Sequence, residues 1–556
     1  MKLGKEAYQA LEDIVGPEYI TQEPVILDTY NQVWGNTFFF DEKHSTRPAA
    51  VLLPATTQEV QEIVKACNKY GILFKAFSSG FEYLSLSLLH AKSILLDMKR
   101  MNHILEIDAK NMRAVVEPYV SVYRLQLEAA RYSLYTGRIG VGYSAGVIAA
   151  ECCHHGCQHT MVSTSGYGRN ILGVEWVLPT GEVLNMGTGE SGGELFSADG
   201  PGFSLRGILR GRTGANGGHG VITKASVKLY PWYGPPEWKQ EKQPGEPLSR
   251  GQLDRVPEGY KVFIPTFSTI DEALEAAAEF CRAEILYALS ISMLGTGVLP
   301  EGNDEQWAMA QKADPEMEEL FKSSLVLVIG GQSPRELAYR ERCVKAITEK
   351  RRGRFLPQFN EQRALARSFI DIMWSTGVPA LRITGDFLPS SSSPDGSPDM
   401  LKKLARQEGE VKNMYEQSGA FFTMGGGERP VTWRPEEHLS IGAQGISVAL
   451  YDPYDPSSLE AARKFINELF DPRSNFNRFG VPSRGGCLQI EPVTHVHQNW
   501  GHLYDNYDVW LRKVKQMLDP NTVADWSAYI PPAYPDYPKE GDYVLPSYGK
   551  EEDDAE

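Results

Sequence analysis

The chain has 556 residues, of which 42% are hydrophobic and 23% charged, as expected of a globular protein large enough for more than one domain. Its net charge of −15 argues against a broad nucleic-acid-binding surface, because such surfaces bind phosphates through Lys and Arg. Seven cysteines without a disulfide-framework spacing predict a reducing, cytoplasmic location. The charged N-terminus and the absence of a long uninterrupted apolar run predict neither a signal peptide nor a membrane span.

Strand and helix patterns alternate in the N-terminal half. Residues 1–45 begin with an amphipathic helical pattern and continue into an aromatic-rich stretch. Residues 51–54 are typical of a short strand, Thr56 or Thr57 caps the helix that follows, and Gly71 ends that helix before a strand at 72–76. Strand, helix and strand within roughly 25 residues predict a βαβ unit with a right-handed crossover.

More strands follow in the same half, separated by a helix and turns. We predict strands at 94–97, 114–118 and 221–229, a helix at 122–130, and a tight hairpin at 174–184 around a Pro-Thr-Gly turn.

A second α+β unit begins after a polar linker at 237–255. Its order of strands and helices resembles a ferredoxin-like layout. The predicted strands are 260–264, 324–329, 421–423 and 446–451, and the predicted helices lie around 273–280 and at 334–350, 456–469 and 509–518. Residues 531–556 contain prolines, tyrosines and acids without periodicity, which indicates an extended acidic tail.

A glycine-rich stretch at 140–145 matches the G-x-G-x-x-A pattern of dinucleotide-binding turns. Its context differs from that of a Rossmann turn, because no clear strand precedes it and no acid lies about 20 residues further on. The same glycines can bring backbone N–H groups close to phosphate oxygens at the start of a helix at 146–151. We therefore interpret the stretch as an anion-binding loop.

Residues 151–159 contain three cysteines and three histidines. Cys153 and Cys157 are four residues apart, as are His155 and His159, so each pair could share a helix face. A zinc or iron–sulfur site would need further ligands with a suitable spacing. Packing around a cofactor loop, contact with a flavin or its covalent attachment, and a metal site remain open for this cluster.

Two further motifs are candidates for ligand contacts. Five glycines between residues 211 and 220 lead directly into the strand at 221–229, which favours a binding loop over a flexible connection. His495 and His497, near Trp500 and His502, could be a metal pair or substrate-site histidines. Hydrolase, zincin and P-loop strings do not occur in the sequence.

Taken together, several of these segments resemble the flavoprotein family that includes vanillyl-alcohol oxidase, para-cresol methylhydroxylase and the glycolate oxidase D-type dehydrogenases. The resemblance depends on the order of separate segments. They are residues 47–72 (beginning RPAAVLLPATTQEV), 94–108 (ILLDMKRMNHILEID), 113–125 (RAVVEPYVSVYRL), 171–187 (ILGVEWVLPTGEVLNMG) and 214–236 (beginning GANGGHGVITKASV), with a weaker match at 510–523 (WLRKVKQMLDPNTV).

The resemblance implies an α+β fold in which a two-subdomain FAD-binding domain of the vanillyl-alcohol oxidase type carries a ferredoxin-like α+β cap domain. The implied organisation is an N-terminal segment (1–45), an FAD-binding domain (46–236), a linker (237–255), a cap or substrate domain (256–504), a return to the FAD domain (505–530) and the acidic tail (531–556).

The same resemblance implies four groups of cofactor contacts. In chain order they are the first diphosphate loop, the second diphosphate loop, a segment near the ribityl chain and a turn on the adenine side. The residues are Phe77, Ser78, Ser79, Gly80, Phe81, Glu82 and Tyr83; Tyr143, Ser144, Ala145, Gly146, Ala150, Glu151 and Cys153; Gly166, Gly168, Asn170 and Ile171; and Gly217, Gly218, Gly220 and Val221.

The resemblance also implies that the protein is an FAD-dependent oxidoreductase, which could be either an oxidase or a dehydrogenase. The metal motifs H-x-G-D-G-N-x-H and E-H-G of D-2-hydroxyacid dehydrogenases do not occur, so we predict no metal and favour a small aromatic or ring-containing hydroxylated substrate. Candidate catalytic residues are Arg382, Arg429, His495 and His497. Alternatives are a flavin-binding 2-hydroxyacid dehydrogenase subunit that passes electrons to a partner, and a non-catalytic structural subunit. We expect a cytoplasmic homo-oligomer whose electrons go to an acceptor protein or O2.

Overall fold

The computed structural model describes the following parts of the chain. They are residues 3–31, 44–45, 47–80, 89–90, 92–137, 145–153, 159–164, 170–187, 205–209, 218–237, 255–291, 323–357, 360, 362–374, 387–390, 431–436, 440–445, 447–450, 454–461, 464 and 506–526.

The first subdomain is a four-stranded sheet covered by helices. Its strands are ordered β1-β3-β6-β4, with β3 and β4 parallel to the central β6 and β1 antiparallel to β3. A short strand pair, β2 and β5, lies in the same part of the chain. The elements are α1 (Lys5–Val15), β1 (Ile20–Thr21), α2 (Pro24–Thr29), β2 (His44–Ser45), β3 (Ala50–Leu52), α3 (Thr57–Tyr70), β4 (Phe74–Phe77), β5 (Leu89–His90) and β6 (Ile94–Asp97).

Helix α3 begins and ends where the sequence predicts. The Thr56 hydroxyl accepts from the Glu59 amide, and Gly71 ends the helix in the left-handed conformation. Val60, Ile63, Val64 and Cys67 are all buried in the core formed with the sheet. The βαβ prediction is confirmed, with β6 inserted between the two parallel strands that α3 connects.

The second subdomain is a five-stranded antiparallel sheet, ordered β11-β10-β12-β8-β7. The predicted hairpin is the β10–β11 pair. Trp176 on β10 is fully buried, and its indole N–H donates to the His219 carbonyl at 2.8 Å. The elements are β7 (Ile104–Asp108), β8 (Arg113–Val116), α4 (Val122–Ala130), β9 (Leu134–Tyr135), β10 (Ile171–Val177), β11 (Val183–Met186), α5 (Arg206–Leu209), β12 (Val221–Lys228) and β13 (Tyr230–Pro231).

Helix α3 joins the two subdomains by packing against the β10–β11 hairpin. The Thr57 hydroxyl donates to the Glu175 carboxylate at 2.5 Å, and the Asn68 amide donates to the Pro179 carbonyl at 2.8 Å. Contacts on both sides of α3 hold the two sheets in a fixed arrangement.

The predicted second α+β unit contains a three-stranded antiparallel sheet, ordered β14-β17-β16, with α6 and α7 packed on it. Helix α7 has the bounds that the sequence predicts, and the Ser333 hydroxyl caps it. The described elements are β14 (Tyr260–Phe263), β15 (Pro265–Thr266), α6 (Ile270–Arg282), β16 (Ala288–Ile291), β17 (Leu325–Gly330), α7 (Pro334–Lys350), β18 (Arg354–Phe355), α8 (Gln362–Trp374), β19 (Phe387–Ser390), β20 (Val431–Glu436), β21 (Ser440–Gly445) and β22 (Ser447–Leu450).

Buried aromatic rings connect this unit to the second subdomain. Tyr135 and Trp232 stack at 5.7 Å, and Trp232 contacts Tyr260 at 5.4 Å. The Tyr287 hydroxyl donates to the Pro231 carbonyl at 2.7 Å. The chain then returns to the first subdomain through α9 (Tyr507–Leu518).

Some sequence predictions fall partly or wholly outside this description. The predicted strand at 421–423 lies outside the described residues, as does almost all of the predicted linker. The helix predicted at 456–469 is helical over its described part, 456–461. No helix in the described part of the chain combines the length and apolar character needed to cross a membrane.

Candidate functional site

A cleft lies at the carboxyl end of β4, between the two subdomains. Residues from separate stretches of the chain form its wall, and six of the 14 are Gly, Ala or Ser. The lining residues are Phe74, Lys75, Ala76, Phe77, Ser78, Met98, Pro118, Ile148, Ala149, Gly218, Gly220, Ile222, Ala524 and Asp525.

The first predicted diphosphate loop leaves β4 at Phe77 and turns at Gly80. Gly80 has a φ of +66°, and a Cβ there would lie 2.7 Å from the Phe77 ring. The other side of that ring is in edge contact with Tyr30 at 5.5 Å. The Tyr30 hydroxyl donates to the buried Asp97 carboxylate at 2.6 Å, and burial together with Asp97 raises the pKa of Tyr30 to about 12. The phenol therefore stays protonated and supports the loop from outside the cleft.

The second predicted loop touches the first. The Gly146 amide donates to the Ser79 hydroxyl at 3.1 Å. A Cβ on Gly146 would lie 2.9 Å from Ser78 Oγ and 3.1 Å from the Pro118 carbonyl oxygen, so the approach requires glycine. Backbone bonds on either side of Gly146, from Val147 to Val120 and from Val122 to Ala145, fix the loop against the start of α4.

Beyond Gly146 the chain forms a short π-helical turn, Ala149–Cys153, where the sequence predicted the start of an α-helix. The wider winding of a π turn is common at functional sites. Ala149 lines the cleft, whereas Glu151 is buried away from solvent.

Glu151 and Asn170, both predicted to contact the cofactor, are hydrogen-bonded to each other. The Asn170 side-chain amide donates to the Glu151 carboxylate at 3.2 Å, and the Tyr230 hydroxyl donates to the Asn170 carbonyl oxygen at 2.5 Å. Both residues are buried, and Ile171 follows as a core residue of β10. In this structure Glu151 and Asn170 tie the second loop to β10.

The third part of the wall is the turn before β12. Gly218 and Gly220 have φ values of +72° and +108°, and a Cβ on Gly220 would overlap the Val177 carbonyl oxygen. Only glycine fits both positions without displacing its neighbours. His219 lies between them with its side chain buried, and burial together with Lys515 lowers its pKa to about 3, so its ring is neutral.

A return segment at 523–525 completes the wall beside β4. The Phe74 amide donates to the Val523 carbonyl, and the Asp525 amide donates to the Phe74 carbonyl, both at 2.9 Å. The buried Asp525 carboxylate accepts from the His90 amide at 2.8 Å and from the Ser93 hydroxyl. The sequence prediction assigned residues 505–530 to the return to the FAD domain but did not identify Ala524 or Asp525 as site residues.

Lys515 on α9 lies behind this wall, and sequence reasoning did not identify it either. Its side chain is fully buried, and its ammonium donates to the carbonyls of Gly218 and Ala524 and to the Asp519 carboxylate. Burial lowers the pKa of Lys515, although the Asp519 carboxylate opposes that shift.

The remaining predicted site residues lie outside the described residues and stay predictions. They are the cofactor contacts Phe81, Glu82, Tyr83, Tyr143, Ser144, Gly166, Gly168 and Gly217, and the catalytic candidates Arg382, Arg429, His495 and His497. Cys153 is at the end of the described π-helical turn, and residues 154–158 of the cysteine and histidine cluster are also outside the description.

The chemistry of the cleft suits a dinucleotide cofactor. Two turns built of serine, alanine and glycine meet at one point, and a third, glycine-rich turn lines the same cleft. A diphosphate needs hydroxyl and backbone N–H donors more than bulky side chains, and turns of this kind provide them. Lys75 adds a cationic side chain to the lining.

Comparisons with known proteins agree with this interpretation. Residues 48–187 match the FAD binding domain family, so this part of the chain is an FAD-binding domain and FAD is its cofactor. The chain is 30% identical over 195 residues to an uncharacterized FAD-linked oxidoreductase of Mycobacterium tuberculosis, a match that covers 33% of this chain and 38% of that protein. It is 27% identical over 246 residues to the flavoprotein subunit of 4-cresol dehydrogenase (hydroxylating) from Pseudomonas putida, covering 41% and 42%.

A third relative is the glycolate oxidase subunit GlcD of Escherichia coli, 29% identical over 194 residues, covering 34% of this chain and 36% of that protein. The chain thus spans less than half the length of these curated relatives.

The fold as a whole is similar to solved flavoprotein structures. A structure of p-cresol methylhydroxylase with substrate bound superposes with a TM-score of 0.68 at 18% identity, covering 94% of this chain and 96% of that one. The 4-ethylphenol oxidase of Gulosibacter chungangensis, in complex with isoeugenol, gives a TM-score of 0.65 at 20% identity, covering 94% and 97%. The chain therefore has the α+β fold of the p-cresol methylhydroxylase type, as the sequence predicted.

Proposed function

We propose that the chain is an FAD-dependent oxidoreductase that removes a hydride from a small hydroxylated substrate with an aromatic or other ring. The observation that carries the proposal is the contact between Gly146 and Ser79, which joins two small-residue turns over one cleft. The FAD-binding domain at 48–187 contains both turns.

The residues proposed to hold FAD are those that line the cleft or shape its turns. Ser78 and Ser79 offer hydroxyls to the diphosphate, Ala145 and Gly146 form the facing turn, and Gly218 to Val221 form the adenine side. FAD, when bound, supplies the electron acceptor at its N5 atom. The chain's own part is to orient the substrate, exclude water and hold or move the substrate's proton.

The substrate class is supported by the fold relatives. Two of them, p-cresol methylhydroxylase and 4-ethylphenol oxidase, are named after phenols, and the structure of the second contains isoeugenol. The proposed substrate-side groups are Arg382, Arg429, His495 and His497. An arginine is suited to stabilising a phenolate, and a neutral histidine is suited to accepting a hydroxyl proton.

An absorption spectrum of the purified protein, followed by an anaerobic titration, tests the proposal. We expect flavin bands that bleach when a 4-alkylphenol or an aromatic alcohol is added and persist with 2-hydroxy acids. A correctly folded, colourless protein that takes up no added FAD would overturn the proposal. Acid precipitation of the coloured protein determines the mode of attachment, because a yellow supernatant means that the flavin is not covalent.

The similarity to the glycolate oxidase subunit favours one second candidate, a 2-hydroxyacid dehydrogenase subunit that passes electrons to a partner protein. Bleaching by 2-hydroxy acids but not by phenols, with reoxidation by an artificial acceptor rather than by O2, would support it. Flavin bands that none of these substrates bleach would favour a non-catalytic flavin-binding subunit. The cytoplasmic location and the homo-oligomer belong to the same proposal, and cell fractionation and light scattering test them.

A further inference from the structure

Lys515 is a buried lysine whose ammonium uses all three of its hydrogens. It donates to the Gly218 carbonyl at 2.5 Å, to the Asp519 carboxylate at 2.6 Å and to the Ala524 carbonyl at 2.9 Å. Lys515 and Asp519 have side-chain exposures of 0% and 1%, so the ion pair is shielded from water. An ammonium has three donors and no acceptor, and all three are satisfied here.

Asp519 extends the same cluster into the return segment. Its carboxylate accepts from the backbone amides of Val523 and Ala524, each at 3.0 Å. Those residues continue into the backbone pairing of Val523 and Asp525 with Phe74 on β4. The ion pair therefore fixes the path by which the return segment reaches the cleft.

Both carbonyls that the ammonium holds belong to the wall of the cleft. Gly218 and Ala524 line it from two stretches about 300 residues apart in the chain. A Cβ on Gly218 would lie 2.7 Å from Lys515 Nζ and 2.8 Å from the Ala524 carbonyl oxygen. The ammonium thus occupies the space directly behind the point where these two parts of the wall meet.

Burying an ion pair between a helix and a sheet costs free energy, because both charges lose their hydration. Apolar side chains of similar size often stabilise a protein as well or better. Apolar side chains, however, cannot hold two backbone carbonyls at hydrogen-bonding distance from a single donor atom. We propose that Lys515 is a positioning residue of the cofactor site, which holds the Gly218–Gly220 turn against the return segment so that the two form one continuous wall for FAD. The inference depends on one part of the proposed function, namely that FAD occupies this cleft.

The test separates positioning from stability by neutralising both charges. Lys515→Met alone leaves the Asp519 carboxylate buried without its partner, so the Lys515→Met/Asp519→Asn double variant is used, with wild type beside it. We expect the double variant to fold, with a far-ultraviolet circular dichroism spectrum like that of wild type, and to bind FAD at least about tenfold more weakly in fluorescence titrations of the apoprotein. Lys345→Met is the matched control, because Lys345 forms an exposed ion pair with Glu341 at the same spacing on α7, at 2.6 Å.

The two proposals fail in different ways. A folded wild-type apoprotein that takes up no FAD overturns the proposed function, and the inference with it. If wild type binds FAD and the double variant binds it equally well, with only its thermal stability lowered, the ion pair is merely structural and the inference alone is overturned.

A second variant keeps the test decisive if the double variant does not fold. In Lys515→Gln/Asp519→Asn, the side chain of Gln is one methylene shorter than that of Lys, so its uncharged amide is expected to bond at most one of the two carbonyls. FAD binding several-fold weaker than in wild type is expected for this variant. Binding equal to that of wild type would overturn the inference.

Discussion

The Gly146 amide donates to the Ser79 hydroxyl at 3.1 Å across 67 residues of sequence. The contact is as close as the chain permits, because Gly146 has no side chain and Ser78 and Pro118 occupy the space that a Cβ would need. Two turns that the sequence assigns separately to a cofactor diphosphate are one surface in the folded protein.

Gly146→Ala is expected to separate the two turns. The added Cβ would lie 2.9 Å from Ser78 Oγ and 3.1 Å from a backbone oxygen, and the backbone oxygen cannot move freely. We expect the FAD dissociation constant to rise about tenfold or more, with little change in secondary structure. Flavin fluorescence titration of the apoprotein measures the effect.

Gly207→Ala is the matched control, since a Cβ on Gly207 in α5 would meet no atom within 4 Å. Alanine is the better helix former, so this control is expected to bind FAD as wild type does. Equal affinities for Gly146→Ala and Gly207→Ala would show that the close approach of the turns is unimportant for binding.

Gly220→Ala is expected to destabilise the protein far more than Gly71→Ala. At Gly220 the φ of +108° disfavours any side chain, and the new Cβ would overlap the Val177 carbonyl oxygen. Strain and overpacking together are expected to lower the free energy of unfolding by about 3 kcal/mol or more. At Gly71 the φ is +63° with nothing within 4 Å, so conformational strain alone costs about 1–2 kcal/mol.

Urea unfolding followed by tryptophan fluorescence compares the two variants directly. If both lost the same stability, the crowding around Gly220 would be relieved by local movement, and the wall of the cleft at this turn would be less rigid than the structure indicates.

His159 is expected to make stability depend on pH between about 6.5 and 4. Its ring is buried where the second subdomain meets β16. Burial lowers its pKa to about 4, although a hydrogen bond to the backbone of Leu289 opposes the shift. An unfolded imidazole takes up a proton near pH 6.5, whereas the folded one stays neutral until about pH 4. The unfolded state is therefore favoured progressively as the pH falls, by up to about 3 kcal/mol for this residue.

Thermal unfolding measured from pH 7.5 to 4 checks this expectation. His159→Gln should lose less stability than wild type over that range. Parallel curves for wild type and His159→Gln would contradict the prediction.

Much of the fold is predictable because its signals are local. Thr56 and Gly71 mark the ends of α3, and Ser333 and Pro334 mark the start of α7, through hydrogen bonds and dihedral preferences that involve only neighbouring residues. The same is true of the hairpin that contains the Pro-Thr-Gly turn. The resemblance of ordered segments then implied that the turns at Ser78 and Gly146 belong to one cofactor site, and the structure brings the two turns into contact.

The sequence by itself predicted many of the helices and strands through local residue patterns, and its resemblance to a flavoprotein family implied the α+β class and the FAD-binding turns. The tertiary structure alone decided that β6 lies between β3 and β4, and that Asp525 joins the wall of the cleft. It also placed Lys515, a residue that an amphipathic helix would usually expose to solvent, against the Gly218 carbonyl 297 residues away. Such contacts depend on how whole elements pack. A buried ammonium is stable only where oxygen atoms accept its hydrogen bonds, and these oxygens come from residues distant in the sequence, so no local pattern predicts them.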